Sequence, residues 1–277
     1  MLFFGLFYSF ALIAFGLSPD ARLRFGGALA LLLVAPVAGY TSWEFAGYAF
    51  GYLLLTAWMV AQPLPLWFRN MRYGCWFLAS AVLLVHAVPG DRGLLLAEQV
   101  VLKPGGIATD LYLNHDKVWV AWSLLSWLPL VRLSMALRRP FPRWLVPILL
   151  SAGLALVMVL AVALGLVSWQ PALTPWFWVF AVSNLLNTCM AEELLFRGLL
   201  QRQLAIRFGW MTALALASAA FGLAHMAGGW SFVTVAGLAG LLYGLAYMWT
   251  GRLIWAVLVH WLLNVSHFLF FTYPVKG

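Results

Sequence analysis

Charged residues are so sparse along this 277-residue chain that they cut it into apolar runs of about the length needed to cross a bilayer. Uncharged stretches cover residues 1–19, 25–43, 45–68, 73–90, 118–131, 144–191, 208–251 and 253–275. The run 118–131 is expected to continue past Arg132 towards Leu137. A span takes ~20 mostly apolar residues, so 144–191 and 208–251 each hold two. Turn residues mark the expected breaks, at Ser168-Trp169-Gln170-Pro171 through Pro175 and at Gly228-Gly229. Ten segments result. With 65% hydrophobic and 9% charged residues, against roughly a quarter charged in a soluble domain, the expected fold class is all-α: a polytopic integral membrane protein of about ten helices (eight to ten) with a site inside the helical bundle.

The basic excess invites two readings, a nucleic-acid surface or the positive-inside rule. With ten alternating segments and the N-terminus outside, the inner side holds Arg22, Arg24, Arg69, Arg72, Arg132, Arg138, Arg139, Arg143, Arg197, Arg202, Arg207 and Arg252. Arg92, Lys103, Lys117 and Lys276 remain outside. That asymmetry is the topological signature, and it leaves no basic patch for nucleic acid. Met1-Leu2-Phe3-Phe4 lacks a basic leader and a small-residue cleavage site, so the first segment is expected to be a retained helix. Cys75 and Cys189 fall in apolar segments and are expected to be small buried residues.

Two regions differ in character. Residues 1–143 are expected to be N-terminal membrane helices with few polar groups at membrane depth and an outer loop at 89–117, including a short interfacial helix over Leu94–Leu102. Asp110, His115 and Asp116 in that loop suggest metal ligands, but a solvated loop of mixed charge is the simpler expectation. Residues 144–277 carry Glu192, Glu193, Arg197, His225, His260, Asn264 and His267 within spanning segments. Ionisable groups at that depth cost several kcal/mol unless paired, which marks them as functional candidates.

Glu193 and Arg197 are four apart in the favourable Glu-before-Arg order for a helical ion pair. Glu192 projects about 100° away and is expected to serve elsewhere. His225 follows Phe221 by one turn among the small residues Gly222, Ala224 and Ala227, which permit close helix packing; Phe221 is expected to hold its ring. Placed about 15 residues into the eighth segment, ~23 Å at 1.5 Å per residue, His225 meets Glu192 only if that helix starts late, tilts or bends. His260 and Asn264 share a face of the last helix, with His267 continuing it as a cap near the outer interface. Both His260 and Asn264 can donate to an oxyanion. No Ser or Cys stands beside a histidine as a nucleophile, so the expected nucleophile is water, with an apolar-site glutamate as its base.

Glu192-Glu193-x-x-x-Arg197, Phe221-x-x-x-His225 and His260-x-x-x-Asn264, in that order, resemble the three motifs of the CPBP intramembrane proteases, which include the type II CAAX prenyl endopeptidases and bacterial Abi proteins. The resemblance covers residues 176–272. It implies a glutamate-dependent endopeptidase in which Glu192 and His225 activate water, His260 and Asn264 stabilise the oxyanion, and Glu193, Arg197 and Phe221 support the site. It also raises zinc as a possible cofactor, with Glu192, His225 and His260 as ligands; without a His-Glu-x-x-His helix, a metal-free site is expected. The expected partners are the lipid bilayer and a membrane-embedded or lipid-anchored protein substrate, and the expected location is a bacterial plasma membrane with both termini outside. Two other functions remain open on these residues. One is a non-catalytic immunity or scaffold protein on the same fold. The other is a proton-coupled transporter, less favoured because the polar groups all lie in one half.

Overall fold

A computed structural model describes residues 1–61, 65–88, 93–128 and 141–276. Among them are ten helices: α1 (Leu2–Leu17), α2 (Ala21–Val37), α3 (Trp43–Val60), α4 (Leu66–Leu84), α5 (Asp116–Trp127), α6 (Leu145–Ala163), α7 (Phe177–Phe208), α8 (Trp210–Leu223), α9 (Met226–Thr250) and α10 (Leu253–Phe270). The molecule is an all-α membrane protein. Helices α6, α7, α9 and α10 are long and apolar enough to cross a bilayer, whereas α1 and α8 are apolar but shorter. The expected continuation past Arg132 to Leu137, and Arg92, Arg138 and Arg139, lie outside the described residues.

Two compact units are present. The first comprises Met1–Glu98, Asp110–Pro129 and Leu186–Ala191. The sequence suggested few polar groups at membrane depth here, and several uncharged ones are paired in its interior. The Tyr52 and Ser80 hydroxyls are 2.7 Å apart, Thr56 and Ser123 likewise, and the Trp76 indole donates to Ser123 Oγ at 2.8 Å. Hydroxyls and indoles pass unremarked in an apolar sequence, yet once buried each needs a partner. Cys189 is buried as expected, but Cys75 is exposed. Helix α4 is apolar on several sides: Trp76 is buried while Phe77 and Leu78 are exposed. Hydrophobicity alone therefore does not tell the inner face from the outer one.

The expected interfacial helix over Leu94–Leu102 is instead a strand, β1 (Leu94–Val100), paired with β2 (Thr109–Leu113). The connection carries Pro104 and Gly105, the latter at φ +74°, and Thr109 and Tyr112 supply strand-favouring residues opposite. A helix read from one segment alone misses that partner. Nor is this region simply solvated. His115 and Asp116 are buried, with the His115 ring against Phe45 at 4.5 Å and Asp116 paired with His86. Lys103 is also fully buried, its ammonium donating to the carbonyls of Phe268 and Leu269 at 2.9 and 2.8 Å. Burial holds that ammonium below the ordinary lysine pKa.

The second unit comprises Gln99–Thr109, Leu130–Leu185 and Glu192–Gly277. Its core joins Leu150, Val157 and Ala161 of α6, Phe221 of α8, Ala239, Leu242 and Ala246 of α9, and Ala256, Val259 and Leu263 of α10. Small residues govern the closest crossing. A Cβ on Gly222 would sit 2.7 Å from the Val233 carbonyl oxygen, so only glycine lets α8 and α9 approach this far. The first turn of α9 bends at Gly229, φ +81°, a conformation glycine adopts without strain, close to the predicted break.

Candidate active site

Helix α7 is irregular where its polar residues cluster. Wide π-type turns run over Asn184–Cys189 and Leu194–Gln201, on either side of the α-helical turn Met190–Glu193. Such insertions shift the phase of a helix face and recur at functional sites. The wide turns place Glu192 and Glu193 at the join between two phases, and both side chains are buried.

Glu193 and Arg197 have no exposed surface, and Arg197 Nη1 donates to Glu193 Oε1 at 3.0 Å. This is the pair that the spacing of four predicted. Arg197 Nη2 donates to the Gly240 carbonyl at 2.8 Å, and the guanidinium lies over the rings of Phe221 and Tyr243 at 4.6 and 5.3 Å. A planar cation that stacks and hydrogen-bonds at once suits such a buried position better than a lysine. A Cβ on Gly240 would come within 3.0 Å of Nη2, so the missing side chain makes room for the guanidinium.

The spacing gave no sign of the third member of this group. His260 Nδ1 donates to the same Glu193 Oε1 at 2.8 Å. A carboxylate partner makes Nδ1 the protonated nitrogen, so His260 presents Nε2 to its surroundings. The imidazole is stacked on Tyr243, 4.5 Å away and inclined by 12°, and meets the edge of Phe221 at 5.7 Å. Glu193, Tyr243 and Phe221 thus fix both the tautomer and the plane of His260.

His225 lies just beyond the end of α8 rather than deep within a helix, because the chain turns there towards Gly229. Helix α8 itself begins at Trp210, so it does not start late, and His225 still lies a full helix length from that start. Its Nδ1 donates to the Phe221 carbonyl at 2.8 Å, which leaves Nε2 as the accepting nitrogen of the neutral ring. The rings of His225 and Phe221 are 4.8 Å apart, so Phe221 touches both histidines and Arg197. Glu192 is buried beside this group and interacts electrostatically with Arg197.

Asn264 Nδ2 donates to Asn184 Oδ1 at 3.1 Å, and one turn earlier on both helices the Trp261 indole donates to the Ala181 carbonyl at 2.8 Å. His267 bonds the Thr272 carbonyl at 3.1 Å and belongs to the end of α10. Sequence reasoning passed over Asn184 and Tyr243. Asn184 is a polar residue at membrane depth eight positions before Glu192, and Tyr243 is the large residue among Gly237, Gly240 and Gly244; both signals were available.

Among the described residues, no three His, Cys, Asp or Glu side chains come together as a metal-holding group. Neither Glu192, His225 and His260 nor Asp110, His115 and Asp116 forms such a group there.

No curated protein and no solved structure matches the chain. A family model does, over residues 174–266, the interval that holds Asn184, both glutamates, Arg197, both site histidines and Asn264: it describes the type II CAAX prenyl endopeptidase Rce1-like proteins. Over those residues the chain is similar to the type II CAAX prenyl endopeptidase Rce1-like proteins.

Proposed function

We propose that the protein is a glutamate-dependent intramembrane endopeptidase acting on a membrane-embedded or lipid-anchored protein. The observation that carries this reading is the buried group Arg197–Glu193–His260, drawn from two helices onto one carboxylate oxygen and flanked by Glu192 and His225. An imidazole held in one tautomer and one plane suits stabilisation of charge at a fixed point in a hydrolytic site.

In the proposed reaction, Glu192, assisted by the accepting Nε2 of His225, takes a proton from water as its oxygen attacks the scissile carbonyl. The negative charge that develops on the carbonyl oxygen meets the Asn264 amide and His260 Nε2, with Glu193 as counter-charge to the ring when it carries both protons. As the C–N bond breaks, the proton on Glu192 passes to the leaving nitrogen. Glu193, Arg197 and Phe221 hold this arrangement, and no metal takes part. Four long apolar helices and the sequence's cationic asymmetry support a bacterial plasma membrane, with Arg202, Arg207 and Arg252 inside and both termini outside.

Comparative membrane proteomics of cells carrying the wild-type protein or Glu192→Ala tests this reading. An uncleaved precursor should accumulate only in the variant. Identical precursor and product levels, with Glu192→Ala inserted at normal abundance, would overturn it.

A further inference from the structure

We infer that a groove between α6 and α10 holds one acyl chain of a bilayer phospholipid. The groove is a cavity of about 560 Å³, lined by the two helices, by Trp169 from the segment after α6 and by Phe271. Its lining side chains are apolar except for Ser151, Ser266 and the Trp169 indole N–H. The floor is part of the folded core, because Met158 of α6 and Leu263 of α10 are buried there. The rim is open, with Val159 and Trp169 each 63% exposed. Both walls are helices long and apolar enough to cross a bilayer, so the groove opens onto hydrocarbon.

Its length and its ends select the occupant. From Ser151 to Val162 the groove follows α6 for ~16 Å at 1.5 Å per residue, which is about half of a ~30 Å hydrocarbon core. A chain rooted in one leaflet reaches that far, whereas a spanning helix needs about twice the length. Trp169 stacks on Phe270, the last residue of α10, with ring centres 5.7 Å apart and planes inclined by 5°. Tryptophan at the ends of spanning helices marks the headgroup level, so this pair sets one end of the groove at the membrane–water interface. A phospholipid whose headgroup rests there lays its chain inward past Val162 and Val159. The chain also meets the helix of the candidate site, since Leu263 directly precedes Asn264 and follows His260 by three residues. The inference stands independently of the endopeptidase reading, because it concerns the protein's place in the bilayer rather than its chemistry.

The test places the purified protein in proteoliposomes containing phosphatidylcholine with a photoreactive diazirine midway along one acyl chain, and maps the crosslinks by mass spectrometry. Met158 and Leu263 should be labelled more than Leu156, a residue of α6 outside the groove and 69% exposed. The expected excess is about tenfold, the ratio that ~1.4 kcal/mol of preference gives. Ala155→Trp puts an indole into the groove; it should abolish the labels on Met158 and Leu263 and leave that on Leu156 as before. Val159→Trp stands in if that variant does not insert. Even labelling of the three positions, or groove labels that survive the substitution, would overturn the inference. So would labels displaced by an excess of farnesylated CAAX peptide, because the groove would then belong to a substrate's lipid anchor.

Discussion

Replacing Arg197 with methionine removes the guanidinium but keeps an unbranched chain of similar reach, and it isolates what one buried cation does for this fold. Glu193 then keeps a single partner, His260, in a site where neither Glu193 nor Arg197 has any exposed surface. The Gly240 carbonyl loses its donor at 2.8 Å, and Phe221 loses a cation 4.6 Å from its ring centre. Removing one member of a buried pair costs ~3–5 kcal/mol, because the remaining charge stays desolvated; the lost cation–π contact adds ~0.5–2 kcal/mol. At ~2–4 °C per kcal/mol for a chain of this order of size, the Tm in detergent should fall by ~10 °C or more. The double variant Glu193→Gln/Arg197→Met removes both charges and keeps an oxygen for His260 Nδ1. It should regain at least half of the lost Tm, a coupling of ~2 kcal/mol between neighbours. It should nonetheless remain poorly active, since His260 has lost its carboxylate. Losses that simply add in the double variant, or an Arg197→Met protein as stable as wild type, would refute the buried pair as the support of the site.

Tyr243→Phe keeps the ring stacked 4.5 Å from His260 and should retain most activity, whereas Tyr243→Leu should lower kcat roughly tenfold and alter the pH profile of kcat/KM, as an imidazole freed from its stacking partner rotates; equal activity in the two variants would remove the ring from the account. Lys103→Met should leave the Phe268 and Leu269 carbonyls without their ammonium donor and cost ~1–3 kcal/mol, read as a drop in Tm with helical content unchanged; an unaltered Tm would show that water takes over both carbonyls.

Legibility followed the range of the interactions. The Glu193–Arg197 pair could be read because it lies within one helix at a spacing of four, and the turns near Pro171–Pro175 and Gly228-Gly229 because proline and glycine act locally. The bond from His260 to Glu193 could not: it joins residues 67 apart, and wide turns that no propensity rule marks alter the phase of α7. Asn184 and Tyr243 stand out only as a polar residue at membrane depth and a large residue among glycines, since an asparagine or a tyrosine declares its partner only when a second helix arrives. The same holds for the segment before α5. Lys103, His115 and Asp116 have the charges of a solvated loop, yet a helix end, an aromatic cluster and His86 bury them. Strand β1 likewise depends on β2 for its form.

In the proposed reaction everything turns on Glu192 as the base that activates water. The most direct measurement compares kcat between wild type and Glu192→Gln in proteoliposomes on an internally quenched, farnesylated CAAX peptide as the probe for a lipid-anchored substrate, with Tm measured on the same preparations. Glutamine preserves size and hydrogen bonding but cannot accept the proton, and a general base contributes ~10²–10⁴ in rate. Glu192→Gln should lower kcat by about 10³ at an unchanged Tm, while cleavage within about threefold of wild type would contradict a general-base role for Glu192.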